Sequence, residues 1–237
     1  MRSRSLRRFI ALGLAGLALA SCSTTLQPED PALVLKQGGQ ATATLKTVVA
    51  AMKVTKGTIS FQGFSLVSAT ASIRLPDESD TTYLVRDKDV QLGFEVVILN
   101  GHVFFKPPLL AFTELTGPQA AAIPNLARLF DPASGLPAVI PAGQNPQYLG
   151  SESVDGVECY KVSAVYTAEQ INGLLPQLNS QAGVTADVWV GGSDHYIRRA
   201  VLGGNFGDNG TLSTVEVDLS NFNQSVTIAS PGRTQGS

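Results

Sequence analysis

Apolar and polar positions alternate with a period of two over most of the chain beyond Thr47, the pattern of strands that bury one face. Val48, Ala50, Met52 and Val54 share one side of the first such run, opposite Thr47, Val49, Ala51 and Lys53. The same period continues through residues 59–75 and 81–86 and is clearest in residues 91–102. There Leu92, Phe94, Val96 and Ile98 face one way, with Gln91, Gly93 and Glu95 opposite. Asn100-Gly101 is the dipeptide of a type I′ turn, which returns the chain through Val103-Phe104-Phe105. A second hairpin is predicted from residues 148–154 through Asp155-Gly156 into residues 157–166. Residues 184–190, 196–206, 211–219 and 223–228 read as a closing meander, with turns at 191–194 and at Asp208-Asn209-Gly210.

The period changes in three places. Residues 31–45 begin as a helix, with Leu33, Val34 and Leu35, but Gly38-Gly39 weakens it. Between residues 107 and 146, Pro118, Pro124, Pro132, Pro137 and Pro141 break the chain into short apolar helical pieces, among them Leu126, Leu129 and Phe130. Thr167-Ala168-Glu169-Gln170 has the form of a capping box. Ile171, Leu174, Leu175 and Leu178 then follow at i, i+3, i+4 and i+7, one apolar face that Pro176 is expected to kink. About ten strands with helices inserted at a few points predict an α+β fold: a large curved antiparallel sheet with helices gathered on one face.

The first 22 residues do not belong to that pattern. Arg2, Arg4, Arg7 and Arg8 precede a short apolar run, and Leu19-Ala20-Ser21 leads directly into Cys22. This is the order of a bacterial lipoprotein signal, in which the Cys22 thiol receives a diacylglyceryl group and the preceding peptide is removed. The apolar run is shorter than the ~20 residues a spanning helix needs. The expected organisation is a signal peptide over residues 1–21, a lipidated tether over 22–30, a single domain over 31–231 and a tail over 232–237. Cleavage leaves 216 of 237 residues, and the four leader arginines leave 13 basic against 19 acidic side chains, a net charge of −6. That balance argues against nucleic acid and against electrostatic docking on anionic lipid. With Cys22 acylated, Cys159 is the one remaining thiol, so stability has to come from a core, which 43 % apolar residues can supply.

Several stretches carry a resemblance in the same order and at similar spacing. The run Asn125-Leu-Ala-Arg-Leu-Phe-Asp-Pro-Ala-Ser-Gly-Leu-Pro-Ala-Val-Ile140 resembles a segment of the LppX/LprAFG family of actinobacterial lipoproteins. So do Val154-Asp155-Gly156-Val157, then Ala168-Glu169-Gln170-Ile171 through Leu175-Pro176-Gln177. Val188-Trp189-Val190, Asp194-His195 and Asp218-Leu219-Ser220-Asn221-Phe222 continue the series. The resemblance covers the chain from about Leu33 to Pro231. It implies a half-barrel sheet whose concave face is covered by helices, with an apolar cavity between them that holds acyl chains of lipids or glycolipids.

Candidate chemistry is sparse. His102 stands beside a hairpin turn and His195 before a strand, and both read as surface residues. Gly150-Ser151-Glu152-Ser153 lacks the second glycine of a nucleophile elbow and lies in a strand context. Asp77-Glu78-Ser79-Asp80 reads as a solvated turn with weak calcium binding as the alternative. Cys159 reads as a buried inert thiol and Trp189 as a packing residue of the sheet. No catalytic residue, metal or cofactor is expected, and the ligand is the bound lipid. The cavity is expected to be lined by Leu92, Phe94, Val96 and Ile98, by Leu126, Leu129 and Phe130, and by Ile171, Leu174, Leu175 and Leu178. Expected partners are lipids or glycolipids with long acyl chains, the membrane through the anchor, and a lipid exporter, with the protein itself a monomer on the extracytoplasmic face of the cell membrane. From the residues alone, two alternatives stand beside a lipid carrier: a surface lipoprotein with a filled core acting as a protein-interaction scaffold, and an envelope hydrolase.

Overall fold

The computed structural model describes residues 26–206 and 212–231. The leader, Cys22, the Asp208-Asn209-Gly210 turn and residues 232–237 lie outside the described residues. Strands β1 (Thr47–Lys56), β2 (Ser60–Phe61), β3 (Phe64–Arg74), β4 (Glu78–Asp87), β5 (Val90–Leu99), β6 (His102–Lys106) and β7 (Thr113–Leu115) form the first half of the fold. Strands β8 (Gln144–Val154), β9 (Val157–Tyr166), β10 (Val184–Gly191), β11 (Ile197–Asn205) and β12 (Leu212–Ser220) form the second. All belong to one antiparallel sheet of order β7-β6-β5-β4-β3-β1-β12-β11-β10-β9-β8, with β2 paired to β3. β1 is the seam: it pairs β3 on one side and β12 on the other, so the sheet is two meanders joined at one strand.

This order puts the end of the first meander at one edge and the start of the second at the other. The chain between β7 and β8 therefore has to recross the sheet, some ten strand spacings of ~4.8 Å each. It does so in short pieces: helix α2 (Gly117–Ala121), a 3-10 turn at Leu126–Phe130, helix α3 (Leu136–Val139) and a 3-10 turn at Ile140–Ala142. Proline is the second residue of three of them, within the first turn where its missing N–H costs nothing, and keeps each piece short. They roof the sheet, together with the N-terminal helix and the segment between β9 and β10.

That N-terminal helix, α1 (Pro31–Thr42), runs unbroken through Gly38-Gly39, where the sequence suggests weakening. Its first turn is set by Pro31 and by the Asp30 carboxylate, which accepts from the Ala32 N–H at 2.9 Å. The two glycines lie where the helix comes closest to its neighbours. A β-carbon on Gly38 would stand 3.3 Å from Val190 and Ile197, and one on Gly39 would stand 2.6 Å from the Pro141 ring. Just ahead of the helix, Leu26 lies across Gly192, so the end of the expected tether is packed against the domain.

The hairpins at Asn100-Gly101 and Asp155-Gly156 form with both turn residues at positive φ, as type I′ requires. A third turn, at Gln62-Gly63, splits the run of residues 59–75 into β2 and β3. Glu78, Ser79 and Asp80 are not a solvated turn: they open β4, Glu78 pairs with Arg74, and Ser79 is buried. Residues 223–228 form no strand, because Asn223 instead caps the start of β1, accepting from the Lys46 N–H at 2.7 Å. The inward side chains form one large core cluster. Val154, Cys159 and Trp189 form a separate small cluster. In that cluster Trp189 donates to Glu152 at 3.0 Å under the Lys161 ammonium, and burial pushes the Cys159 thiol up.

Candidate functional site

The space between sheet and roof is an apolar cavity with two lobes. Across the middle of the sheet, Met52 sits opposite Val217, Val217 opposite Ala200, and Ala200 opposite Val188. This row, with Ala186, Leu202, Val215 and Leu219, is the floor of a lobe of about 130 Å³. A second lobe of about 110 Å³ lies over β1, β3 and β4, on Ala50, Ala69, Ala71, Ile73 and Tyr83. The lobes share Met52, Val217 and Leu219 of the floor and Leu129, Leu136, Leu175 and Leu178 of the roof. Alanines at inward floor positions leave room that larger aliphatic side chains would fill. Each lobe has roughly ten times the room one water needs, but a carbon wall offers water too few partners to hold it.

The roof over the first lobe is fixed at one end by Tyr166, whose hydroxyl donates to the Ile140 carbonyl at 3.0 Å. Helix α4 (Ala168–Leu174) follows, opened by the predicted capping box: Thr167 accepts from the Gln170 N–H, and the Gln170 side chain accepts from the Thr167 N–H. Pro176 does not kink this helix; it ends it. Leu175 leaves helical geometry and Pro176–Leu178 form a 3-10 turn. The loop is closed by Asn172, which both donates to the Ser180 carbonyl and accepts from its N–H, at 2.9 and 2.7 Å.

The predicted lining residues divide among the cavities. Ile171, Leu174, Leu175, Leu178 and Leu129 line the first lobe, and Leu126, Leu129 and Phe130 the second. Phe94 lines a third, more open cavity of about 330 Å³ with Phe61, Phe64, Phe105 and two glutamines, Gln62 and Gln119. Leu92, Val96 and Ile98 border none of these cavities, and Val96 is 1 % exposed within the packed core. The stripe on α4 therefore faces β1 and β10–β12, not β5. What the sequence reading missed is the floor itself, whose signal was alanine and methionine at inward positions of otherwise β-branched strands.

The polar candidates lie apart from the lobes. His102 is exposed and pairs with Glu114 at 2.6 Å, while His195 is half-buried at the β10–β11 turn. Ser151 lies within β8, and among the described residues no group of three or more His, Cys, Asp or Glu is gathered to hold a metal ion. Nor is any helix among them long and apolar enough to cross a membrane.

An open antiparallel sheet with a carbon-lined space under a proline-broken roof is the architecture that the sequence resemblance implies. Residues 30–228 match the LppX_LprAFG lipoprotein family, and the chain belongs to it. The lipoarabinomannan carrier protein LprG of Mycolicibacterium hassiacum is 27 % identical over 220 residues, 92 % of this chain and 91 % of that one. The protein of the same name from Mycobacterium tuberculosis is 23 % identical over 227 residues, 93 % and 92 % of the two chains. The crystal structure of LprF from Mycobacterium bovis superposes with a TM-score of 0.67 at 21 % identity, over 85 % of this chain and 96 % of that one. That of LppX from Mycobacterium tuberculosis gives 0.59 at 21 % identity, over 85 % and 100 %. Both share this fold.

Proposed function

We propose that this chain is an extracytoplasmic lipoprotein, anchored through acylated Cys22, that takes acyl chains of lipids or glycolipids into the two-lobed cavity and carries them toward the outer cell envelope. The observation that carries this reading is the pair of adjoining lobes walled almost wholly by carbon. The carrier names of its relatives support it. Moving a methylene from water into such a space is worth ~0.8 kcal/mol, but moving it from a bilayer interior is nearly neutral, since both are apolar. A cavity of this kind exchanges chains with membranes instead of trapping them, as a carrier has to. Two or three acyl chains on Cys22 would give stable anchoring where one gives marginal binding.

Native mass spectrometry of the chain from Ser23 onward, made without the leader, tests the reading. Acyl-lipid adducts that leave on organic extraction are the expected result, and the full-length protein should carry a diacylglyceryl mass that Cys22→Ala lacks. A compact, lipid-free protein would point instead to a scaffold with a filled core, and ester turnover to a hydrolase.

A further inference from the structure

Two leucines at the tip of the β6–β7 connection take no part in the core. Leu109 is fully exposed and Leu110 is 62 % exposed, the two most exposed large apolar side chains among the described residues. The other exposed ones stand singly on different elements, which is ordinary at a protein surface. At the tip the exposure is built in. The Leu110 N–H donates to the Pro107 carbonyl at 3.2 Å, closing a turn with Pro108 and Leu109 at its centre. Pro108 fixes the first central φ, and Leu109 takes a φ of 63°, at a position such a turn ordinarily gives to Gly or Asn. A leucine there carries a backbone cost and, in water, gains no burial in return.

The root of the loop is held to the sheet: Lys106 pairs with Glu95 at 3.0 Å and lies over the Phe112 ring, 5.2 Å from its centre. From Pro107 to Thr113 no side chain is charged. Phe105 and Leu115, in the strands on either side, both wall the more open cavity. The loop leaves the sheet toward the end that carries the Gln62 turn, away from the Gly192 turn against which Leu26 lies.

Whatever covers this tip has to accept two leucines without a matching surface. A stable protein interface needs about 800 Å² from each partner, well beyond what two side chains offer. A bilayer needs no complementary shape, and an uncharged loop enters its headgroup layer without stripping a charge of water.

We propose that the Leu109-Leu110 tip docks the open end of the domain on a lipid bilayer by inserting both leucines, a contact separate from the Cys22 anchor. It goes beyond the carrier reading and holds whether or not a lipid occupies the lobes. Docked in this way, the strands that wall the more open cavity stand against the membrane surface.

The test uses full-length protein carrying Leu110→Trp, returned from dodecyl maltoside to phosphatidylcholine vesicles. Lipid brominated on its acyl chains, which quenches an indole that enters it, is supplied in the host vesicles or in vesicles added afterwards. Trp189, buried in the sheet, is the unquenched background. From one side or the other the introduced indole should lose about half its emission, and a rise from about 0.1 M to about 1 M salt should leave that loss unchanged. Adding Leu109→Gly removes one leucine and eases the turn. The ratio of quenched to unquenched indole should then fall about tenfold, with a melting temperature no lower than wild type. No quenching from either side overturns the assignment and leaves a protein as the partner that covers the leucines. Quenching that Leu109→Gly does not weaken, or that salt abolishes, overturns it as well. Quenching that survives return to detergent and removal of free lipid comes from a chain held in the cavity; it overturns the docking assignment and leaves the carrier reading standing.

Discussion

The two ends of the helical roof meet the sheet in opposite ways. α1 lies in contact with β10 and β11: Val34 and Leu35 are 0 % and 1 % exposed, and Gly38 and Gly39 remove the side chains that would hold the helix off. α4 and the turn after it stand off the sheet on Leu174, Leu175 and Leu178, none of them fully buried, with the first lobe beneath. Both segments are amphipathic, so amphipathicity alone does not decide whether a helix closes a core or covers a void. The deciding features are small: glycine on the contact face of one helix, leucine on the other, and alanine on the floor below.

The sharpest way to break this comparison is to truncate one leucine on each side. Leu35→Ala should cost about 3 kcal/mol, as large-to-small changes in packed cores do, whereas Leu178→Ala, which already borders empty space, should cost about 1 kcal/mol. Equal shifts of the urea midpoint would mean that the two contacts are packed alike. Alanine at a glycine of each helix is the next test. On Gly39 it would meet Pro141 and the Pro137 carbonyl and should destabilise by about 2 kcal/mol, against the usual gain for Gly→Ala in a helix. On Gly173 of α4 it meets nothing within 4 Å and should stabilise by about 0.5–1 kcal/mol. Opposite signs in thermal melts are expected, and matching signs would remove the case for a glycine contact.

The smallest effect belongs to the turn beneath α1. Asp194 accepts both Arg198 guanidinium nitrogens at 2.8 and 2.7 Å, and this bond holds its carboxyl below the ordinary value of 3.8. A carboxyl depressed in the folded state adds stability at pH above its unfolded value and loses it as pH falls through the folded one. Solvent screening limits the contribution to roughly 0.5–1 kcal/mol. Stability at pH 6 minus that at pH 3 should shrink by that amount in Asp194→Asn, and an unchanged difference would place the acid sensitivity elsewhere.

Legibility from sequence followed how local each cause is. Asn100-Gly101, Asp155-Gly156 and the Thr167–Gln170 box specify their own geometry within four residues, and each forms as predicted. The lipoprotein family and the sheet-and-helix architecture were readable from collinear stretches and period-two runs. The unbroken α1 was not, because the partners that favour Gly38 and Gly39 come from Pro141, Val190 and Ile197, about a hundred residues or more away in sequence. The position of the lobes was hidden for a related reason. Leu92, Val96 and Ile98 make a stronger apolar stripe than the alanine-rich floor, and a cavity forms where side chains are small rather than where they are most apolar.

The contact of Leu26 with Gly192 sets a leash length. Leu26 lies four residue steps from Cys22, with three residues between them, at most ~14 Å of extended chain. On the proposed Cys22 anchor, with Leu26 seated, the β10–β11 turn would be held near the lipid surface, along with the turns at Asp155-Gly156 and Asn100-Gly101 that share its end of the sheet. The Gln62 turn and the Pro176 break lie at the other end, about one strand length of ~25 Å further out. Anchored in the proposed way, the domain would stand like a cup on a short stem, with its more open rim turned away from the leaflet that holds it.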